Sequence, residues 1–100
     1  MTVTVKFVNY DRALDGDGKL AEAELHFFPP SPLEGMKLVG FAVWEPTKGK
    51  GRNVTFPSRR YTINNEKRSF ALLRPIADTA ASNALRDYIL AAYAAWEATR

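Results

Sequence analysis

Residues 15–24 read DGDGKLAEAE, and the fold turns on whether they lead into a strand or a helix. Asp15, Asp17, Gly18, Leu20 and Glu24 stand at the third, fifth, sixth, eighth and twelfth places of an EF-hand calcium loop. The first place of such a loop needs an oxygen ligand, and here it is Ala13. The upstream flank is no helix either. Over residues 2–7 Val3, Val5 and Phe7 alternate with Thr2, Thr4 and Lys6, the period-two pattern of a strand with one wet face. Downstream, Pro29 and Pro30 cut off any exit helix. The stretch therefore reads as a strand-to-strand turn, in which glycine takes positive φ and aspartate bonds its own backbone. A calcium-responsive protein built on residues 13–24 stays as an alternative.

Residues 19–28 form a second strand, with Ala21, Ala23, Leu25 and Phe27 opposite Glu22, Glu24 and His26. A short helix over residues 20–25 competes, because alanine and glutamate favour helices. Residues 36–44, MKLVGFAVW, are apolar almost throughout, as expected of a central strand buried on both faces. Residues 45–52 form a glycine-rich reversal, and residues 53–56 begin another strand. The chain then passes through PSRRY (57–61) and a polar turn over residues 63–67 to a last strand at 69–73. Pro75 closes it, and Asp78 or Thr79 can cap a C-terminal helix. Leu85, Ile89, Ala92, Tyr93 and Trp96 recur at three-to-four spacing, a stripe that packs on a sheet. The other side of this helix is mixed, with Arg86, Asp87 and Glu97 beside Leu90, Ala91, Ala94 and Ala95, and its alanines permit close approach by another element, such as one from a second copy. The expected fold is α+β, an antiparallel β-sheet of about five strands with one C-terminal α-helix packed on it, in a single domain over residues 1–100.

Composition narrows the function classes. The chain has 100 residues, 46% of them apolar, and no cysteine. Disulfides, thiolate metal sites and cysteine nucleophiles are excluded, and a reducing cytoplasm fits. Residues 1–7 lack the charged head and apolar run of a signal peptide, and no apolar run approaches the ~20 residues that span a bilayer. The net charge of +3 is unevenly laid out. Residues 48–74 carry eight cations against Glu66 alone, or +7, and the rest of the chain carries six cations and ten acids, or −4. Such segregation suits a polyanion-facing region.

The order of these elements, together with a set of local phrases, resembles the stage V sporulation protein G (SpoVG) family of septation regulators. Residues 54–60, VTFPSRR, resemble the family's "FVAMPSRK"-like segment. Residues 5–8 with the Asp-Gly turn after them and Lys19-Leu20 look like its first hairpin, and residues 39–43 like its central strand. Arg74-Pro75-Ile76 resembles its "HPI" step, and residues 85–93 its final helix. Departures are the proline-rich insertion over residues 28–34, the longer turn over 46–53, Arg74 in place of a histidine and Phe56 in place of a methionine. The resemblance implies a dimeric bacterial cytoplasmic regulator that binds nucleic acid, and it carries over only Arg59 and Arg60 among the basic determinants.

The residues themselves propose a nucleic-acid site at Ser58, Arg59, Arg60, Lys48, Lys50, Arg52, Lys67 and Arg68, since clustered cations and hydroxyls suit phosphate oxygens. Each has a plainer reading. Lys48, Lys50 and Arg52 could decorate a solvated turn that keeps a sheet edge from aggregating. Arg59 and Arg60, adjacent as the chain leaves a strand, point to opposite sides if that strand continues, so one could pair with Glu66, Asp78 or Asp87 and the other lie in solvent. Tyr61 and Phe70 could stack on single-stranded bases, although strand aromatics are more often core. Catalytic residues, metal ligands, a cofactor and a small-molecule substrate are not expected: His26, the one histidine, has no ligand or nucleophile partner at useful spacing. The expected partners are DNA or RNA and a second copy of the chain, with no membrane. The rival is an assembly module whose basic segment only solubilises it.

Overall fold

The computed structural model describes residues 2–8, 18–46 and 51–99. Six strands precede one helix: β1 (Val3–Val8), β2 (Lys19–Phe27), β3 (Lys37–Trp44), β4 (Asn53–Thr55), β5 (Ser58–Ile63), β6 (Glu66–Ala71) and α1 (Ala80–Ala98). Strands β1 to β4 form an antiparallel sheet in chain order, and β5 and β6 form a separate antiparallel pair. The α+β class holds: antiparallel strands with a C-terminal helix against them.

The run after Gly18 resolves as a strand. Residues 19–27 pair with β1 on one side, as in Val5↔Leu25 and Val8↔Glu22, and with β3 on the other. Pairing on both edges outweighs the helix propensity of the Ala-Glu run, so the short helix does not form. Gly18 has φ +93, the positive value expected at the turn. Asp15 and Asp17 lie outside the described residues.

Two irregularities interrupt the pairing of β2 with β3. Leu20 is an extra residue on β2 between the pairs Lys19↔Trp44 and Ala21↔Val43, so Leu20 and Ala21 are both buried although adjacent. On β3, Val39 and Gly40 together oppose Glu24, a bulge with Gly40 at φ +109.

One face of the sheet is the core. Ala21, Ala23, Leu25, Phe41, Val43 and Val54 are buried there, and α1 closes it with Ile89 and Tyr93. Phe7 meets Tyr93 edge-on at 5.3 Å and Trp96 at 5.2 Å between ring centroids. The Tyr88 hydroxyl donates to the Val3 carbonyl oxygen at 3.2 Å, tying the helix to β1. Each fully buried large side chain here contributes about 1.5–3 kcal/mol relative to exposure. At the helix start Asp78 Oδ1 accepts the Ala80 N–H at 2.9 Å, while Thr79 makes no side-chain cap.

Two expectations are corrected. Residues 36–44 are not buried throughout: Phe41 to Val43 are, but Met36 and Val39 are 64% and 50% exposed. From Lys37 to Phe41, β3 has no β4 residue paired on its outer edge, because the bulge and the departing chain end that pairing at Ala42. Nor does the chain merely run from 57 to a last strand at 69–73. Residues 58–63 are a full strand, and the described strands number six in two sheets.

Candidate nucleic-acid interface

The β5–β6 hairpin is built by a two-residue turn. Asn64 and Asn65 have φ of 51° and 66°, the left-handed pair that a type I′ turn requires and that asparagine tolerates better than most residues. That turn fixes the register as Ile63↔Glu66, Tyr61↔Arg68, Arg59↔Phe70 and Ser58↔Ala71. Every residue from Ser58 to Phe70 is exposed.

At its base the hairpin is clamped. Pro57 is buried, and its Cβ lies only 2.8 Å from where a Cβ on Gly40 would stand. The absence of a side chain at the bulge is what lets Pro57 seat there. The Leu72 N–H donates to the Pro57 carbonyl oxygen at 2.9 Å, extending the ladder one step below Ser58↔Ala71.

Register sorts the hairpin into two faces, because paired residues of an antiparallel ladder share a side and successive residues alternate. One face holds Ser58, Arg60, Thr62, Lys67 and Ser69, three hydroxyls and two cations. The other holds Arg59, Tyr61, Ile63, Glu66, Arg68 and Phe70. Tyr61 and Phe70 contact each other on this second face at 5.9 Å, 61° between ring planes. They are 37% and 39% exposed, which corrects the expectation that they are core. Arg74, just past the hairpin, sets its guanidinium 5.8 Å from the Phe70 centroid.

The cations differ in what occupies them. Arg68 donates to Glu66 at 2.7 Å, a solvent-exposed pair of small energetic weight. Arg59, Arg60 and Lys67 make no ion pair with any described residue, so the anticipated pairing with Asp78, Asp87 or Glu66 does not occur. Arg52 sits apart from the hairpin: it bonds Glu97 of α1 at 2.9 Å and lies over the Tyr93 ring at 5.0 Å. It holds the helix to the sheet. Lys48 and Lys50 lie outside the described residues. The six of these residues that are described therefore do not form one basic face. The structure brings Ser58, Arg60 and Lys67 together on one side and Arg59 and Arg68 on the other.

Two grooves adjoin the hairpin base. One, of about 530 Å³, lies among Val39, Trp44, Thr55, Ser58, Arg60 and Leu72. The other, of about 460 Å³, lies between β4 and the first turns of α1, with Phe56 and Leu73 inside and Arg74 and Arg86 among its lining.

On the outer face of the four-stranded sheet the two acids of β2, Glu22 and Glu24, are each paired with a lysine, Lys19 and Lys37. Glu24 Oε1 accepts from His26 Nε2 at 3.0 Å and from Lys37 Nζ at 3.3 Å. These partners, the His26 hydrogen bond first, hold the Glu24 carboxyl below its ordinary range against a smaller opposing effect of burial. His26 is thus a satisfied strand residue. Glu24, the would-be bidentate calcium ligand, is engaged by a cation and an imidazole in mid-strand, with strands flanking the turn. Among the described residues no group of three or more acids and histidines is placed to hold a metal ion. No helix among them is long and apolar enough to cross a membrane.

Sequence reading missed the strand at residues 58–63 and the exposure of its aromatics. The signal was present: Asn64-Asn65 between two runs of strand-forming residues is a type I′ hairpin pattern.

No protein-family model, curated protein or solved structure matches this chain.

Proposed function

We propose that the protein is a non-enzymatic nucleic-acid-binding regulator, cytoplasmic and homodimeric, whose binding element is the β5–β6 hairpin. One observation carries this reading. A hairpin exposed from Ser58 to Phe70 presents Arg59, Arg60 and Lys67 with no carboxylate committed to them among the described residues. Cations without an ion-pair partner on an exposed hairpin suit a phosphate backbone, and Ser58, Thr62 and Ser69, on the face of Arg60 and Lys67, add neutral donors. The SpoVG resemblance supports the same reading. Its phrase at residues 54–60 spans the step from β4 into this hairpin, and it links the protein to gene regulation, septation or sporulation. Dimerisation is supported by the apolar surface a single copy leaves uncovered, notably Met36, Val39 and Leu72, and by the exposed Ala91, Ala94 and Ala95 of α1.

The test is a binding titration with DNA and RNA at low and high salt. Affinity should fall steeply with salt, and Arg59→Glu with Arg60→Glu should weaken it by tenfold or more. Arg52→Ala, which loosens the helix contact, should change affinity less than threefold. Absence of binding at low salt, or full binding by the double charge reversal, defeats the reading. The rival is an assembly module without nucleic-acid binding, favoured by the same uncovered apolar residues. It would show salt-insensitive self-association and no retained nucleic acid.

A further inference from the structure

We infer that the Tyr61–Phe70 face of the hairpin is a stacking platform for unpaired nucleobases, so that the preferred ligand is single-stranded; this rests on the nucleic-acid reading above. Tyr61 and Phe70 are more than a third exposed, with only each other and the Arg74 guanidinium set against their rings, so they contribute less to folding than the buried rings of the core. Two-stranded hairpins are marginal in water by themselves, and apolar groups on them are stabilised mainly by whatever covers them.

The residues around the rings select that cover. Arg59 and Arg68 share the face, as the cross-strand partners of Phe70 and Tyr61. Arg74 already approaches the Phe70 ring as a cation. The rings thus lie within a cluster of guanidiniums, with Glu66 as the single acid on the hairpin and already bonded to Arg68. A second copy docked through this same face would have to cover three guanidiniums on each side with one carboxylate apiece, and that carboxylate is already bonded to Arg68. A single strand supplies both needs at once: flat bases for the rings and a phosphate for each cation. A duplex offers phosphates and groove edges but no free base faces for the rings, because its bases are stacked on one another.

Arg74 links this ledge to the 460 Å³ groove, which it also lines along with Arg86, Asn53 and Asn83. Arg86 there already donates to Asn83 Oδ1 and Asp87 Oδ1, at 3.2 Å each, so a strand leaving the ledge past Arg74 would meet Arg74 and the Asn53 amide first. The other hairpin face, with Arg60 and Lys67, remains open to phosphates on either side of the bound segment.

The experiment compares labelled single strands of about twelve nucleotides, DNA and RNA, with a duplex of the same sequence. Fluorescence anisotropy is read for the wild type and for Tyr61→Ala with Phe70→Ala. Self-association is measured by light scattering in parallel. The wild type should bind single strands at least tenfold tighter than duplex. The double variant should lose about five- to a hundredfold per ring for single strands while duplex binding stays within twofold. Tyr61→Phe, which keeps the π-face, should bind as the wild type does, separating stacking from any general loss of hairpin structure. Equal single-strand and duplex affinity, unchanged in the double variant, overturns the platform and leaves phosphate binding standing. A double variant that becomes monomeric and loses both ligands equally shows the rings to be a contact between copies, and overturns it too. If neither ligand binds the wild type at low salt, the proposed function falls and this inference with it.

Discussion

The four-stranded sheet with its helix and the β5–β6 hairpin are both regular antiparallel structure, yet they stand on different physics. In the body, each strand has a face against α1, and Phe41, Val43, Ile89 and Tyr93 are almost wholly out of water. In the hairpin, backbone hydrogen bonds are made but no side chain from Ser58 to Phe70 is buried. Stability in the first comes from apolar burial, whereas the second borrows its position from one clamp at Pro57 and Gly40. Hydrogen-bonded regularity therefore does not by itself mark a structural element. A ladder with no buried side chain on either face is better understood as a presented surface.

Breaking the body should cost far more than breaking the hairpin. Ile89→Ala leaves a cavity between sheet and helix and should destabilise by about 2–5 kcal/mol, measured by urea unfolding. Tyr61→Ala should cost less than about 1 kcal/mol in the same assay, since exposed substitutions seldom do more. Comparable losses from the two would mean that the hairpin folds as part of the core.

Next in size is the clamp. Gly40→Ala places a Cβ 2.8 Å from Pro57 Cβ at a φ of +109, which an L side chain rarely adopts. A loss of about 1–3 kcal/mol is expected. Because the strain falls where the hairpin meets the sheet, amide shifts in an NMR spectrum should concentrate at Ser58 to Arg60 and Leu72. Shifts spread evenly over α1 would place the strain elsewhere.

The smallest effect concerns pH and belongs to the body alone. The folded state holds the Glu24 carboxyl below the ordinary value of 4.5. Its contribution is therefore complete above about pH 4.5 and is lost as pH falls through the lower folded value. Glu24→Gln should flatten the melting temperature against pH in that acid window and leave the profile near neutrality little changed. An identical acid limb in the variant would assign it to other carboxylates.

Much of the body was legible because its signals are periodic. Alternation over residues 2–7 and 19–27 set β1 and β2 on the right faces, and the Leu85–Trp96 stripe put Ile89 and Tyr93 against the sheet. The bulge at Val39–Gly40 was not legible, since a lone glycine in an apolar run does not say whether the run is interrupted. The exposure of Val39 at the bulge was missed with it, as was that of Met36, which precedes the strand. In the candidate site, the residue types were legible and their division was not. Arg59 and Arg60 were expected on opposite sides, and they are. The commitment of Arg52 to Glu97 depends on a helix 45 residues away in the chain, which no local pattern reveals. Tyr61 and Phe70 looked like core because aromatics in strands usually are, and only the absence of a layer above them shows otherwise.

The two asparagines at the hairpin tip set the phase of everything below them. With Ile63 opposite Glu66, Phe70 falls beside Tyr61 and away from Arg60. A slip of one residue would pair Arg60 with Phe70 and Tyr61 with Ser69, dispersing the rings onto opposite sides and breaking up the hydroxyl row. Two backbone angles at Asn64 and Asn65, far from either groove, thus decide which side chains meet as neighbours. A longer connection there would keep the same composition and scramble its arrangement.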